Sequence, residues 1–314
     1  MGKLAFVFPG QGSQSVGMGQ DFIDQFPESA DFFKKADERL DYGLSDIILN
    51  GPEETLTRTE NTQPALLTVS SLVLDLLQKE GIKPDYVAGH SLGEYSALVA
   101  AGALSFEDAV YAVRMRGLFM EEAVPAGVGA MAAVLGLEAD VLETVCQQAA
   151  SETSTVQLAN LNSPGQIVIS GTREGVERAS ELAKEKGAKR VIPLNVSGPF
   201  HSSLMKPAAE KLGAVLDELN IQTAAVPVIA NVTALPVTDA KEIKERLIEQ
   251  LYSPVRWIEI VAYLLAQGVD TFIEVGPGKV LSGLVKKVDR KAKVYTTNDV
   301  ESFTKLLAEL KEEA

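Results

Sequence analysis

A single cysteine, Cys146, stands in a chain of 314 residues, which excludes an intramolecular disulfide framework. It falls in an amphipathic stretch, residues 141–146, and reads as a small core side chain. No Cys/His cluster has the spacing of a zinc site, so no metal or other cofactor is expected. Basic residues are scarce as well: 29 Lys and Arg against 43 Asp and Glu leave a formal charge of −14. Phosphate recognition needs a basic surface, so a general nucleic-acid binder is excluded. Long apolar runs are missing, because charges such as Asp75 and Glu107 interrupt the apolar helices. No segment is expected to cross a membrane, and the N-terminus has neither the basic stretch nor the cleavage site of a signal peptide. The expected location is the cytoplasm. Histidine is scarce too: only His90 and His201 are present.

What is present is an ordinary globular composition, 46% hydrophobic and 23% charged, at a length that suits two domains or one domain with an insertion. Residues 89–93 read Gly-His-Ser-Leu-Gly, after the apolar run 86–88 and before a helical stretch, 94–101. Strand, Gly-x-Ser-x-Gly, helix is the order of a nucleophile elbow, in which the serine sits on a sharp turn at a helix N-terminus. There the glycines avoid a Cβ clash and backbone N–H groups can stabilise an oxyanion. The competing reading is a structural turn.

The rest of the chain alternates strand and helix patterns. Residues 4–8 form a buried first strand ending in the loop Pro9-Gly10-Gln11-Gly12-Ser13-Gln14. A helix is predicted over 65–79, with Pro64 at its first turn and Gly81 beyond its end. Another is predicted over 106–122, capped by Ser105 with Asp108 three residues on. Residues 127–196 change rhythm. They give a strand (130–135), a helix (139–150), two strands (156–160 and 166–170) joined through Asn162-Ser163-Pro164-Gly165, a helix (174–186) and a strand (190–194). That βαββαβ order is ferredoxin-like. The larger unit then resumes with strands at 226–231, 271–275 and 294–297, and helices at 240–251 and 258–267. The expected architecture is a three-layer α/β-hydrolase-like core with a mainly parallel sheet, spanning 1–126 and 197–314. A ferredoxin-like small domain, 127–196, is inserted in it.

A serine nucleophile needs a base near its working pH. His90 leaves the turn beside Ser91 in another direction, which leaves His201, in a loop at the junction of the two expected domains. It is either that base or a hydrogen-bonded structural residue. Acyl transfer also needs two oxyanion donors, one the N–H of Leu92 and the second from another loop, for which Gln11 is a source. Arg116 shares the buried stripe of Ala109, Val113 and Met120, whereas Arg114 aligns with Glu107 and Glu121 on the polar side. A guanidinium facing a core must be paired, either with an internal acid or with a substrate carboxylate held bidentately. Gln250 interrupts the stripe of Ile243 and Leu247 as either a structural or a site residue. Lys286, Lys287, Arg290, Lys291 and Lys293 form the best basic cluster, either a solvated face or a dock for an acidic partner, with Lys189 and Arg190 as its opposite wall.

With these segments assembled, the chain resembles the malonyl-CoA:acyl carrier protein transacylases. The matching segments include residues 8–14, Thr62-Gln63-Pro64-Ala65, residues 89–94, Arg114-Met115-Arg116-Gly117, residues 162–166, Phe200-His201, Asn231-Val232-Thr233 and residues 274–278, in order along nearly the whole chain. The resemblance implies that Ser91 is acylated by malonyl-CoA and that His201 acts as base and then acid. It implies an oxyanion hole from the backbone N–H groups of Gln11 and Leu92, and a malonyl carboxylate on Arg116. It further implies that backbone carbonyl oxygen near Gln250 orients His201, that Gln63 and Asn162 line the pocket, and that the bulk of Phe200 excludes an α-branched substrate. The acceptor would be the phosphopantetheine thiol of an acidic acyl carrier protein, in a ping-pong reaction feeding fatty-acid synthesis or a polyketide assembly line. A serine esterase or thioesterase is the alternative enzyme, but it expects an acidic residue between Ser91 and a late histidine and has no use for Arg116. A non-catalytic scaffold would not be expected to keep both Ser91 and His201.

Overall fold

The computed structural model describes residues 2–125 and 127–313, the side chain of Glu313 apart. The described residues form ten strands: β1 (Lys3–Phe8), β2 (Tyr86–Gly89), β3 (Gly129–Leu135), β4 (Val156–Ser163), β5 (Gln166–Thr172), β6 (Arg190–Pro193), β7 (Val228–Ile229), β8 (Pro236–Val237), β9 (Val269–Glu274) and β10 (Lys293–Thr296). Six form one sheet in the order β10-β9-β1-β2-β7-β8, parallel throughout except for β8 against β7. Four form a second, antiparallel sheet in the order β4-β5-β3-β6.

β1 lies inside the large sheet, and its alternation builds two layers at once. Phe6 and Phe8 join the apolar cluster of the helices Thr59–Lys79 and Phe106–Glu122, while Ala5 and Val7 join Trp257, Ile260, Leu264 and Leu281 on the other face. Three layers result, as the alternating pattern predicts. The pairing Phe8↔Gly89 ends β1 and β2 at one level, so the loops after them emerge side by side at the carboxyl edge of the sheet. That edge is where open parallel sheets place their ligands.

The antiparallel sheet has the predicted βαββαβ order. Its helices Ala139–Ala149 and Arg173–Glu185 cover one face through Leu142, Val145, Val176 and Ala179. Cys146 belongs to this cluster, and burial pushes its thiol up to about 12, which keeps it unreactive. Met131 and Val168 leave the opposite face and pack into the large cluster instead.

The helix predicted from residue 65 begins at Thr59 and carries Pro64 in its interior. A proline there lacks the N–H that would bond the carbonyl of Glu60. Arg114 supplies the missing donor: its Nη1 bonds Glu60 O at 2.8 Å and Asn61 Oδ1 at 2.9 Å. Arg114 is therefore half-buried over the Tyr42 ring, not simply on a polar side. The strand predicted over 226–231 shortens to β7, because Asn231 turns away to hold the serine turn. Five helices had no sequence expectation: Gln20–Gln25, Ala30–Leu40, Leu44–Asn50, Glu53–Thr57 and Lys206–Glu218. Among the described residues no helix is long and apolar enough to cross a membrane.

Candidate active site

Ser91 occupies the turn between β2 and the helix Gly93–Ala100, with φ 53. A Cβ on Gly89 would lie 1.9 Å from the Gly93 carbonyl, and one on Gly93 would lie 2.2 Å from Phe8 O, so both flanking positions require glycine. The left-handed serine is held from behind. Asn231 Oδ1 accepts the Ser91 N–H at 2.7 Å and its Nδ2 donates to Gly89 O at 2.7 Å.

His201 is also left-handed, with φ 57, in the loop that follows β6. Its Nε2 lies 2.8 Å from Ser91 Oγ and its Nδ1 2.9 Å from the backbone oxygen of Gln250. A carbonyl can only accept, so Nδ1 carries the proton and Nε2 presents its lone pair to the serine. Gln250 ends the helix Ala240–Gln250, where the last carbonyls have no partner within the helix. Burial, and then the Arg116 cation, push His201 down to about 3. It is a neutral acceptor across the physiological range.

Arg116 is 1% exposed. Its Nη1 donates to Gln63 Oε1 at 2.8 Å, and its Nη2 to Gln250 Oε1 at 2.9 Å and Ser91 Oγ at 3.0 Å. Its guanidinium also stands 5.9 Å from the centre of the Tyr95 ring. No carboxylate among the described residues pairs with it, and its Nε has no partner. The cation is thus solvated by two neutral amides and a hydroxyl, which leaves its charge available to an incoming anion.

Ser91 Oγ, His201 and Arg116 line a cavity of about 130 Å³ with His90, Gln11, Leu92 and Asn160. Met120, Met131, Leu194, Val196 and Phe200 supply apolar wall. The backbone N–H groups of Gln11 and Leu92 have no acceptor among the described residues, while the Gln11 side chain bonds Thr59 Oγ1 at 3.3 Å. Gln11 and Val196 are shared with an outer cleft of about 740 Å³, whose rim includes Glu53, Glu60, Glu121 and Arg58.

Two expected pocket residues stand behind the wall. Gln63 is buried, holding Arg116 and donating to Met120 Sδ at 3.4 Å. Asn162 accepts from His90 Nε2 at 2.8 Å, and Asn160 takes the cavity position. β4 shifts register against β5 between Leu158 and Asn160 and again between Leu161 and Ser163, so simple alternation does not fix which asparagine faces the cavity. His90 bonds Asn162 and packs tilted against Trp257, so it is not the partner of Ser91 Oγ.

Three supports were missed by sequence reasoning. Asn231 clamps the turn as above. Gln157 accepts the Ser203 N–H at 2.9 Å and donates to His201 O at 3.4 Å, bracing the loop that carries the histidine. Glu94 bonds Gln250 Nε2 at 2.7 Å and accepts the Asn231 N–H at 3.1 Å. An acid in an otherwise apolar helix was the available signal for Glu94; Asn231 and Gln157 meet their partners only in the fold. Lys286 and Lys287 are exposed but engaged, the first bonding Ala292 O and the second Gln166 Oε1, both at 2.7 Å. Among the described residues no cluster of His, Cys, Asp or Glu could hold a metal ion.

Residues 5–306 match the acyl transferase domain family, which makes the chain an acyltransferase. Over 313 residues it is 62% identical to a malonyl CoA-acyl carrier protein transacylase of Bacillus subtilis (strain 168), covering 100% of this chain and 99% of that protein. An acyl carrier protein S-malonyltransferase from Vibrio cholerae superposes with a TM-score of 0.94 at 48% identity, over 97% of this chain and 99% of that one. A malonyl-transacylase solved in complex with its type II PKS acyl-carrier protein superposes with a TM-score of 0.95 at 44% identity, over 98% and 99%. The chain belongs to the malonyl CoA-acyl carrier protein transacylase family.

Proposed function

We propose that this enzyme moves the malonyl group of malonyl-CoA to the phosphopantetheine thiol of an acyl carrier protein through a malonyl ester on Ser91, supplying extender units for fatty-acid synthesis. The observation that carries the reading is an unpaired, buried guanidinium touching the same oxygen that faces the histidine lone pair. Ser91 Oγ attacks the thioester carbonyl as His201 Nε2 takes its proton. The oxyanion is received by the Gln11 and Leu92 N–H groups. Collapse expels coenzyme A, whose thiolate takes the proton from Nε2. The carrier's thiol then gives its proton to Nε2 and attacks the ester, and Ser91 leaves with that proton. Arg116 holds the malonyl carboxylate, Gln63 acts through Arg116, Asn162 acts through His90, and Phe200 narrows the space beside the acyl carbon. Gln250 O keeps His201 in the productive tautomer. The small, largely apolar cavity disfavours water as acceptor.

The same reading assigns the chemistry to 1–126 with 197–314, and the closing wall to 127–196. The boundary at 126 and the ends at 1 and 314 lie outside the described residues. The proposed acceptor is acidic and the enzyme carries −14, so docking would rely on a local basic region, Lys286 and Lys287 with Lys189 and Arg190 opposite. The reading includes neither a nucleic acid nor a membrane as partner, and its setting is the cytoplasm. The test is incubation with malonyl-CoA followed by intact mass. The parent is expected to gain one malonyl adduct and Ser91→Ala none, with an unchanged fold. An adduct persisting on Ser96 or another serine would refute the assignment, and free malonate formed with turnover would make the enzyme a hydrolase.

A further inference from the structure

We propose that Glu94 is a positioning residue for acyl transfer, fixing from behind the site the amide of Gln250 and, with it, the groups that orient His201 and Arg116. The proposal rests on the Ser91 reading above and assigns a role to a residue that touches neither substrate nor reacting atom.

Besides Ser91 Oγ itself, Gln250 is the residue that bonds both the base and the cation. Its backbone oxygen receives His201 Nδ1–H, its Oε1 receives Arg116 Nη2, and its Nε2 donates to Ser91 O at 3.0 Å and to Glu94 Oε2 at 2.7 Å. An amide can rotate by half a turn with almost no change of shape. That rotation would set an N–H against the Arg116 fork, donor against donor. A carboxylate and a carbonyl can only accept, so ionised Glu94, together with Ser91 O, fixes the orientation, and Glu94 makes the shorter, charge-assisted bond. The same Oε2 takes the backbone N–H of Asn231, whose side chain clamps Ser91 and Gly89. One oxygen therefore sets the base and the nucleophile relative to each other. The amide also separates Glu94 from Arg116, so the cation is not consumed by an internal ion pair.

Glu94 is 2% exposed. Burial pushes its carboxyl up to about 7, against the Gln250 and Asn231 hydrogen bonds and the Arg116 cation, which favour ionisation. Arg116, from the helix Phe106–Glu122, is the charged group acting on it. The nearby titratable groups are Tyr95 on its own helix, pushed up by burial, and His201 across the Gln250 bridge, which stays neutral down to about 3. Loss of rate on acidification near neutrality would therefore report Glu94 and not the histidine.

The test is the single-turnover rate of Ser91 acylation by malonyl-CoA between pH 5.5 and 9, in the parent, Glu94→Gln and Glu94→Ala. The parent rate should fall about tenfold per pH unit below an inflection near neutrality. Glu94→Gln keeps an acceptor but no charge; at pH 8 it should be about tenfold slower, with the acid limb gone. Glu94→Ala should be slower again, on the order of 100-fold, with KM for malonyl-CoA little changed. A flat parent profile from pH 6 to 8, or a Glu94→Gln enzyme with the parent's rate and limb, overturns the proposal. So does a Glu94→Ala defect that disappears on cooling well below its Tm, which would mark a purely structural role. Should Glu94→Ala not fold, the parent profile and Glu94→Gln decide. A parent that takes up no malonyl group at any pH would instead refute the Ser91 reading.

Discussion

The side of the cavity supplied by the large sheet, its helices and the His201 loop carries all the reacting and charged groups, Gln11, His90, Ser91, Leu92, Arg116 and His201, with Met120 and Phe200 as apolar wall, whereas the side supplied by the antiparallel unit and the segment leaving it carries Met131, Asn160, Leu194 and Val196. Groups on the first side are held by directed bonds from strand ends and helix termini, such as Asn231 on the serine turn and Gln250 O on His201. Those on the second side are mostly apolar and act by shape. The division separates two demands of acyl transfer to a thiol. Charge development needs donors fixed before reaction begins, and water must be kept from an ester that faces an activated base. A wall that holds no charge can meet the second demand without disturbing the first.

Substitutions on the polar side should be the most damaging. His201→Gln removes the proton acceptor and should slow Ser91 acylation by about 10²–10⁴-fold in rapid-quench experiments. A smaller loss would mean that another group accepts the proton. Arg116→Ala comes next and should change preference more than rate. A malonyl carboxylate without its charged partner loses about 1.5–3 kcal/mol, roughly 10- to 150-fold in the malonyl-to-acetyl ratio. Acetyl transfer should be retained, because the deleted cation also depresses His201. An unchanged ratio in competition assays would place acyl selectivity elsewhere.

The two sides also differ in how far they could be read from sequence. The elbow was legible because its glycines answer to local sterics, and the βαββαβ order because each element shows its own period. Arg116 was legible through its phase on one helix. What failed was set by partners distant in sequence. Pro64 suggests a helix start until Arg114, 50 residues on, is seen to satisfy the carbonyl that the proline leaves free. Asn162 and Asn160 cannot be told apart without the register shifts of β4. Glu94 and Gln250, 156 residues apart, meet only when the helix Ala240–Gln250 ends beside the elbow. The helices Ala30–Leu40 and Lys206–Glu218 do carry legible apolar stripes, through Phe33 and Ala36 and through Leu212 and Leu216.

Two buried groups on the polar side should give stability opposite pH dependences. His201 lies at about 3 in the folded chain, below the ordinary 6.5. Between those values the unfolded chain binds a proton that the folded chain does not, so stability falls as pH falls. Glu94 lies at about 7 against an ordinary 4.5, so the folded chain keeps a proton that the unfolded chain has lost, and stability falls as pH rises through that window. Each slope is about 1.4 kcal/mol per pH unit where the window is fully open. In urea titrations at pH 4.5, 5.5 and 6.5, His201→Gln should gain stability relative to the parent as pH falls. Glu94→Gln should gain as pH rises. Trends of the same sign would refute the assigned shifts.

The smallest expected effect on chemistry tests the passive side directly. Asn162 is the hydrogen-bonding link from β4 to His90, at 2.8 Å, and His90 touches the cavity without touching Ser91 Oγ. Asn162→Ala leaves a half-buried imidazole N–H without its acceptor, which should destabilise the protein by about 1 kcal/mol. Burial already holds His90 below its ordinary value, so it stays neutral and adds no new charge to the cavity. Acylation of Ser91 should therefore change by only a fewfold, while thermal melting shifts clearly downward. If acylation instead falls as far as in His201→Gln with little change in Tm, the antiparallel unit takes a direct part in the chemistry through His90, and the division between a reacting side and an excluding side would have to be abandoned.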